Sequence, residues 1–176
     1  MSESSRFAEA IAHLRQADPI LAASIDQVGA CLLAPTRTDR DLFASLASAI
    51  VSQQLSSKAA STIWGRFAAL YPHQPYPPAS GVLETPDEVL RSVGLSRQKI
   101  GYLKDLAQRS TGDLPTLEQL HQMDDEAIIA ELTKVKGLGR WTVQMLLMFQ
   151  LERPDVLPVD DLGIRSAIRT LYALSE

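Results

Sequence analysis

Apolar residues recur three and four positions apart along most of the chain, the spacing of helices with one buried face. Phe7, Ala10, Ile11 and Leu14 mark a helix over 5–16, and Asp18-Pro19 offers an N-cap and an N1 proline to a second helix ending at Val28. A loop with a proline is expected over 32–36. Thr38 or Asp39 then caps a helix whose inward stripe is Leu42, Phe43, Leu46, Ile50 and Val51. A polar break, Ser52-Gln53-Gln54-Leu55-Ser56, separates it from a helix over 59–71, with Ser56 as N-cap and Ile63, Trp64, Phe67 and Leu70 inward.

Prolines exclude a regular helix over 72–80. Thr85-Pro86-Asp87-Glu88 reads as a helix start with Thr85 at N-cap, and Gly94 as its end. Ser96 opens a helix with Ile100, Leu103, Leu106 and Ala107 inward, closed by Thr111-Gly112-Asp113. A short helical piece within 114–123 follows, then Asp124 caps a helix through 128–135. No stretch alternates with period two between turns, so the predicted class is all-α.

The chain is organised around residues 135–165. Gly137-Leu138-Gly139 lies between two helical patterns. Glycine serves where φ is positive or where another backbone must come close. A tight turn opening a helix leaves its first amides without intrahelical partners, and with the helix dipole they suit a phosphate. Leu138 is expected to point inward and pin the turn, with Lys136 and Arg140 adding charge beside the phosphate. An ordinary turn with a glycine C-cap fits the same residues. At the far end, Asp160 and Asp161 precede the last helical pattern. One aspartate there is accounted for as an N-cap; the second leaves a carboxylate that could stabilise a cationic sugar or orient water.

Composition narrows the field. The 176 residues carry a net charge of −4, so a global basic footprint is absent and positive groups must act locally. Candidates near the hairpin and the last helix are Lys134, Lys136, Arg140, Arg165 and Arg169. Cys31 is the single cysteine, which excludes an internal disulfide and a four-cysteine cluster. No apolar run spans a bilayer and the opening residues lack a signal-peptide plan, so an intracellular, cytoplasmic and nucleoid-associated setting is expected.

Three blocks together resemble the helix-hairpin-helix DNA glycosylase superfamily, and within it the 3-methyladenine DNA glycosylase II branch of alkylation repair. They are Ile50-Val51-Ser52-Gln53-Gln54-Leu55-Ser56 with Ala59 and Ala60; Lys136-Gly137-Leu138-Gly139-Arg140-Trp141-Thr142; and Leu147-Met148-Phe149 through Arg153-Pro154-Asp155-Val156 to Asp160-Asp161-Leu162-Gly163. The resemblance runs from about residue 40 to the end. It implies the all-α glycosylase fold in a compact form, without the N-terminal β-domain of longer members and with a short or truncated C-terminus. One helical unit over 1–176 is expected, with a lobe over 38–135 and a lobe over 124–176 that includes the helices of 1–35.

The resemblance further implies that Asp161 is the catalytic aspartate, with Asp160 the alternative. Trp141 matches an aromatic of the base pocket, able to stack on a cationic purine; Met145 stands where some members carry a second aromatic. Gln54 matches the residue that enters the gap left by a flipped nucleotide, with Gln53 beside it. Residues 136–140 match the phosphate anchor. No cofactor is implied beyond a monovalent cation on the hairpin carbonyls near Gly137 and Gly139, and no metal held by side chains. Relatives that also cut the strand carry a lysine where this chain has Trp141, so a monofunctional enzyme is expected.

The implied function is hydrolysis of the N-glycosidic bond of alkylated purines, such as 3-methyladenine and 7-methylguanine, in base excision repair. The partner is double-stranded DNA with damaged bases, met by a monomer away from membranes. Two rivals from other classes stand beside it. A non-catalytic helix-hairpin-helix module would bind phosphates without releasing bases, and a helical protein-interaction domain would not bind DNA.

Overall fold

A computed structural model describes residues 7–31 and 41–175. Among them there are eleven helices and no strand. They are α1 (Ala8–Ala17), α2 (Pro19–Val28), α3 (Leu42–Ser52), α4 (Ser57–Ala68), α5 (Ala79–Glu84), α6 (Asp87–Ser92), α7 (Arg97–Ser110), α8 (Leu117–His121), α9 (Asp125–Leu132), α10 (Arg140–Phe149) and α11 (Leu162–Leu171). The chain divides into two compact units, Pro35–Val156 and Met1–Ala34 with Leu157–Glu176.

In the larger unit, α7 presents Ile100, Leu103, Leu106 and Ala107 to a core shared with α3 and α5. The expected stripe of α3 is buried in full, and Phe67, Val82, Leu90, Leu120, Ile128, Leu132, Val143 and Leu147 complete the core from the helices around it. Each such aliphatic or phenyl group stabilises the fold by about 1.5–3 kcal/mol relative to exposure. The hairpin, expected in a lobe with the chain ends, packs inside this unit. Leu138 is 4% exposed within the same core, which ties the turn to it.

Local capping chemistry sets most boundaries. Ser56 accepts from the Ala59 amide (3.3 Å) and Ser96 from the Lys99 amide (3.2 Å). Thr116 and Gln119 form a reciprocal capping box on α8 (2.8 and 3.2 Å). Arg153 holds the chain after α10: its Nη2 donates to the carbonyls of Leu120, His121 and Met123 (3.3, 3.2 and 2.8 Å), and its Nε lies 3.3 Å from Asp125.

Several boundaries differ from expectation. The start of the first helix at Ser5, the 32–36 loop and the caps Thr38 and Asp39 fall outside the described residues. The N-cap of α3 is Asp41, whose carboxylate accepts from the Ala44 amide at 2.6 Å. α5 occupies the end of the proline-rich stretch expected as loop, because Pro78 ends the run in an extended conformation that can precede a helix. Thr85 caps no N-terminus. Its hydroxyl donates back to the Gly81 carbonyl (2.7 Å) and meets the Tyr71 hydroxyl (2.8 Å), leaving Pro86 at the N-cap of α6. α9 ends at Leu132 rather than 135.

In the smaller unit, Asp18 caps α2 through the amides of Ile20 (2.8 Å) and Leu21 (3.0 Å), as its sequence predicts. Its other carboxylate oxygen accepts from the Tyr172 hydroxyl just beyond α11 (2.5 Å), joining the two ends of the chain. That hydrogen bond, foremost, holds the Asp18 carboxyl below its ordinary value.

Candidate nucleic-acid interface

The end of α3, the start of α7 and the hairpin converge on one cleft of about 280 Å³, lined by Gln53, Gln54, Ser96, Gln98, Lys99, Tyr102, Gly137, Gly139 and Thr142. Gln53, Gln54, Gly137 and Gly139, singled out from sequence, are therefore brought together. α7, which sequence reading treated only as core, supplies the floor.

Gly137 and Gly139 differ in kind. Gly137 has φ +83°, and a Cβ there would stand 2.1 Å from the Tyr102 ring. Both backbone and neighbour require glycine. Gly139 has φ −93°, which any residue adopts, and a Cβ would meet nothing within 4 Å. It is the N-cap of α10 and provides no side-chain cap to that helix. The chain itself does not need glycine there; a ligand approaching the backbone would.

α7 holds the hairpin through polar residues on one side. The Asp105 carboxylate accepts from the Lys136 amide (3.0 Å), with the Lys136 ammonium at 3.5 Å and Arg109 Nε at 3.4 Å. Burial works to raise the Asp105 carboxyl, but the Lys136 amide and the two cations outweigh it and hold the group below its ordinary value. Gln98 donates to the Tyr102 hydroxyl (2.6 Å), fixing the ring beneath Gly137.

Lys99 reaches across to the end of α3, donating to the carbonyls of Val51 (2.7 Å) and Gln53 (2.8 Å), and burial lowers its pKa. Gln53 in turn donates from Nε2 to the Gly137 carbonyl (2.7 Å). Gln54 follows with φ +56°, left-handed for a residue with a Cβ, and its side chain is exposed. Lys99, Tyr102 and Asp105 escaped sequence reading because their partners lie tens of positions away, where no local pattern records them.

The basic residues around the hairpin have acidic partners. Lys134 pairs with Glu131 (2.6 Å), and Arg140 makes a two-pronged contact with Glu126, Nη1 at 2.9 Å and Nη2 on the other oxygen. Trp141, 46% exposed, lies in the first turn of α10, and Met145, half-buried, follows one turn later on the same face. On the smaller unit, Arg165 and Arg169 are exposed along α11. Asp160 is exposed, whereas Asp161 is half-buried and caps α11, accepting from the Ile164 amide at 2.9 Å. A Cβ at Gly163 would stand 3.1 Å from the same Asp161 oxygen, so the missing side chain leaves that carboxylate room.

The two glycine carbonyls of the hairpin each accept a hydrogen bond from within the protein. Gly137 oxygen already accepts from Gln53, Gly139 oxygen from the Val143 amide (3.2 Å), and the Lys99 ammonium lines the same cleft. Among the described residues no cluster of three or more His, Cys, Asp or Glu is arranged to hold a metal, and no helix is long and apolar enough to cross a membrane.

The family model of HhH-GPD superfamily base excision DNA repair proteins matches residues 47–176, which contain the cleft, the hairpin and both aspartates. The chain belongs to the HhH-GPD superfamily. Among HhH-GPD relatives, it is 40% identical over 136 residues to DNA-3-methyladenine glycosylase 1 of Schizosaccharomyces pombe, covering 77% of this chain and 60% of that one. The chain thus spans less than two thirds of that relative. Its fold matches the fission-yeast 3-methyladenine DNA glycosylase in complex with abasic DNA, with a TM-score of 0.83 and 37% identity over 96% of this chain and 82% of the other. DNA-3-methyladenine glycosidase from Bacillus halodurans superposes equally well, with a TM-score of 0.83, 34% identity and coverage of 98% and 76%.

Proposed function

We propose that this HhH-GPD protein is a monofunctional DNA glycosylase acting on alkylated purines in duplex DNA. The observation that carries the DNA reading is Gly139: a glycine with no internal reason to be one, opening α10 without a side-chain cap and lining a cleft. The amides that begin α10 suit a backbone phosphate, and the exposed Gln54 on its left-handed backbone suits insertion into the stack when a nucleotide leaves it. The choice of alkylated purines rests on the likeness to relatives named for 3-methyladenine.

In the reaction, Trp141 with Met145 stacks on the flipped base, whose positive charge favours an electron-rich ring. The bond between C1′ and the base nitrogen breaks with its electron pair leaving on the base, which a cationic purine accepts without prior protonation. The Asp161 carboxylate stabilises the oxocarbenium-like sugar, and water adds at C1′, losing a proton to solvent, to leave an abasic site and the neutral free base. Asp160, exposed, is the alternative acid. Position 141 holds an indole, which cannot form a Schiff base, so strand cleavage is not part of the activity. The protein works as a monomer on intracellular, nucleoid DNA.

The test is release of 3-methyladenine and 7-methylguanine from methylated duplex by the wild type and by Asp161→Asn. Asparagine caps a helix as well as aspartate does, so the variant keeps the Ile164 contact and the fold. A fall in release of at least about a hundredfold is expected, the scale of losing one preorganised electrostatic group. Wild-type levels of release in Asp161→Asn would remove the acid from the mechanism. A second reading, a non-catalytic reader of DNA shape, is favoured by Asp161 being engaged as a helix cap. That reading requires binding without release by the wild type.

A further inference from the structure

The reading of the cleft as a DNA-binding face raises the question of what holds Gln54 in place. α3 ends at Ser52, so its last carbonyls lack intrahelical partners. The chain then turns through Gln53 (φ −52°, ψ 133°) into Gln54 at φ +56°. A residue with a Cβ in that region persists only where its surroundings determine it. The determinants flank it. The Lys99 ammonium donates to Val51 and Gln53 carbonyls at 2.7 and 2.8 Å, and the Gln53 side chain donates to Gly137 at 2.7 Å. The residue before Gln54 is thus fastened twice, by its carbonyl to α7 and by its side chain to the hairpin.

Resting on that DNA reading, we propose that Lys99 and Gln53 form a positioning bracket that holds the inserting residue Gln54 and the phosphate-binding hairpin in one fixed arrangement, with Lys99 acting inside the protein rather than on a phosphate. Two of the three ammonium donors are already directed at carbonyls of the α3 terminus, where a cation complements the helix dipole. Gln53 is correspondingly a strut between two DNA-contacting elements, its amide turned to the hairpin.

The bracket and a phosphate contact differ in salt dependence. A lysine on a phosphate contributes about 0.9 to the slope of log affinity against log salt, whereas an internal fastening contributes nothing. Binding of the full chain to a duplex with a tetrahydrofuran abasic analogue is measured across a salt series, with 2-aminopurine next to the lesion reporting unstacking. Lys99→Met is expected to weaken binding about tenfold at every salt, about 1.4 kcal/mol, with the slope unchanged and the 2-aminopurine signal reduced. Gln53→Ala is expected to do the same, and the double variant to lose little more than the larger single loss, because both cut one bracket. A shallower slope, unchanged affinity, or losses that simply add overturn the bracket. Should Lys99→Met fail to fold, Gln53→Ala decides alone: weaker binding with unchanged slope supports the proposal and unchanged binding overturns it. Failure of the wild type to bind the abasic duplex overturns the DNA reading and the bracket together, a result distinct from any variant effect.

Discussion

Gly139 sits at φ −93° with open space where a Cβ would stand, so a serine can enter without backbone strain or overlap. Serine is a better N-cap than glycine by a few tenths of a kcal/mol, because its hydroxyl accepts from one of the first amides of the helix. For Gly139→Ser the melting temperature should hold or rise by about 1 °C, since roughly 1 kcal/mol corresponds to 2–4 °C at this size. The same hydroxyl takes an amide from the phosphate. A hydrogen bond to a charged group contributes about 1.5–3 kcal/mol, so affinity should fall at least about tenfold. Anisotropy with an abasic-analogue duplex at fixed salt, beside a melting curve, separates the two effects. Wild-type affinity in a well-folded Gly139→Ser would refute the claim that these amides hold the strand.

Gly137 provides the contrast. Alanine there must adopt φ +83° and place its Cβ 2.1 Å from the Tyr102 ring. The left-handed backbone costs about 1–2 kcal/mol and forcing the ring aside about 1–3 more, so Gly137→Ala should lose stability as well as binding. A wild-type melting temperature for that variant would contradict the hairpin geometry itself.

Asp105 ties hairpin stability to pH. Its folded pKa lies below the ordinary 3.8, so its contribution is complete above that value and is lost as pH falls through the lower folded value. Asp105→Asn should be about 1 kcal/mol less stable at neutral pH, with the gap closing on acidification below pH 3.8; a gap constant with pH in denaturant titrations would rule this out. Arg153→Ala strips donors from the carbonyls of Leu120, His121 and Met123 and leaves Asp125 without its cation, so a loss of about 2–3 kcal/mol is expected in urea unfolding. A change under about 0.5 kcal/mol, the size of an ordinary surface substitution, would show that the contacts stabilise nothing. With Trp141 in place of a lysine, borohydride treatment on abasic duplex should trap no covalent adduct; an adduct would reveal an amine nucleophile elsewhere in the chain.

What could be read without coordinates was local. Asp18-Pro19 starts α2 because the cap and the restricted φ act within four residues, and the same holds for Ser56 and Ser96. Thr85 carries an equally good local signal and fails it, because Tyr71 and the Gly81 carbonyl take its hydroxyl. The two hairpin glycines look alike in sequence and are opposites in structure: Tyr102, 35 positions before Gly137, creates the difference. The anchoring of Lys136 by Asp105, and of α3 by Lys99, likewise depends on pairs 31 and 48 positions apart. Residue types point to the stretch proposed to bind; only packing distinguishes the groups that face the cleft from those that hold them.

The charge balance follows from the same distinction. A chain of net charge −4 that binds a polyanion must place its positive groups locally. Near the hairpin, Lys134, Lys136 and Arg140 face Glu131, Asp105 and Glu126. Paired charges of this kind produce little field beyond a Debye length of about 8 Å in physiological salt. On the proposed DNA reading, attraction then falls to oriented amides at the start of α10, whose effect is confined to the first turn of the helix. A broad basic face would hold any polyanion; on the proposed reading, a short-range backbone site acts only on a phosphate already seated at Gly139, with Gln54 held beside it through Lys99 and Gln53. For a glycosylase of the kind proposed, which must distinguish a distorted nucleotide from a vast excess of intact duplex, weak attraction at distance and rigid contacts at close range work in the same direction.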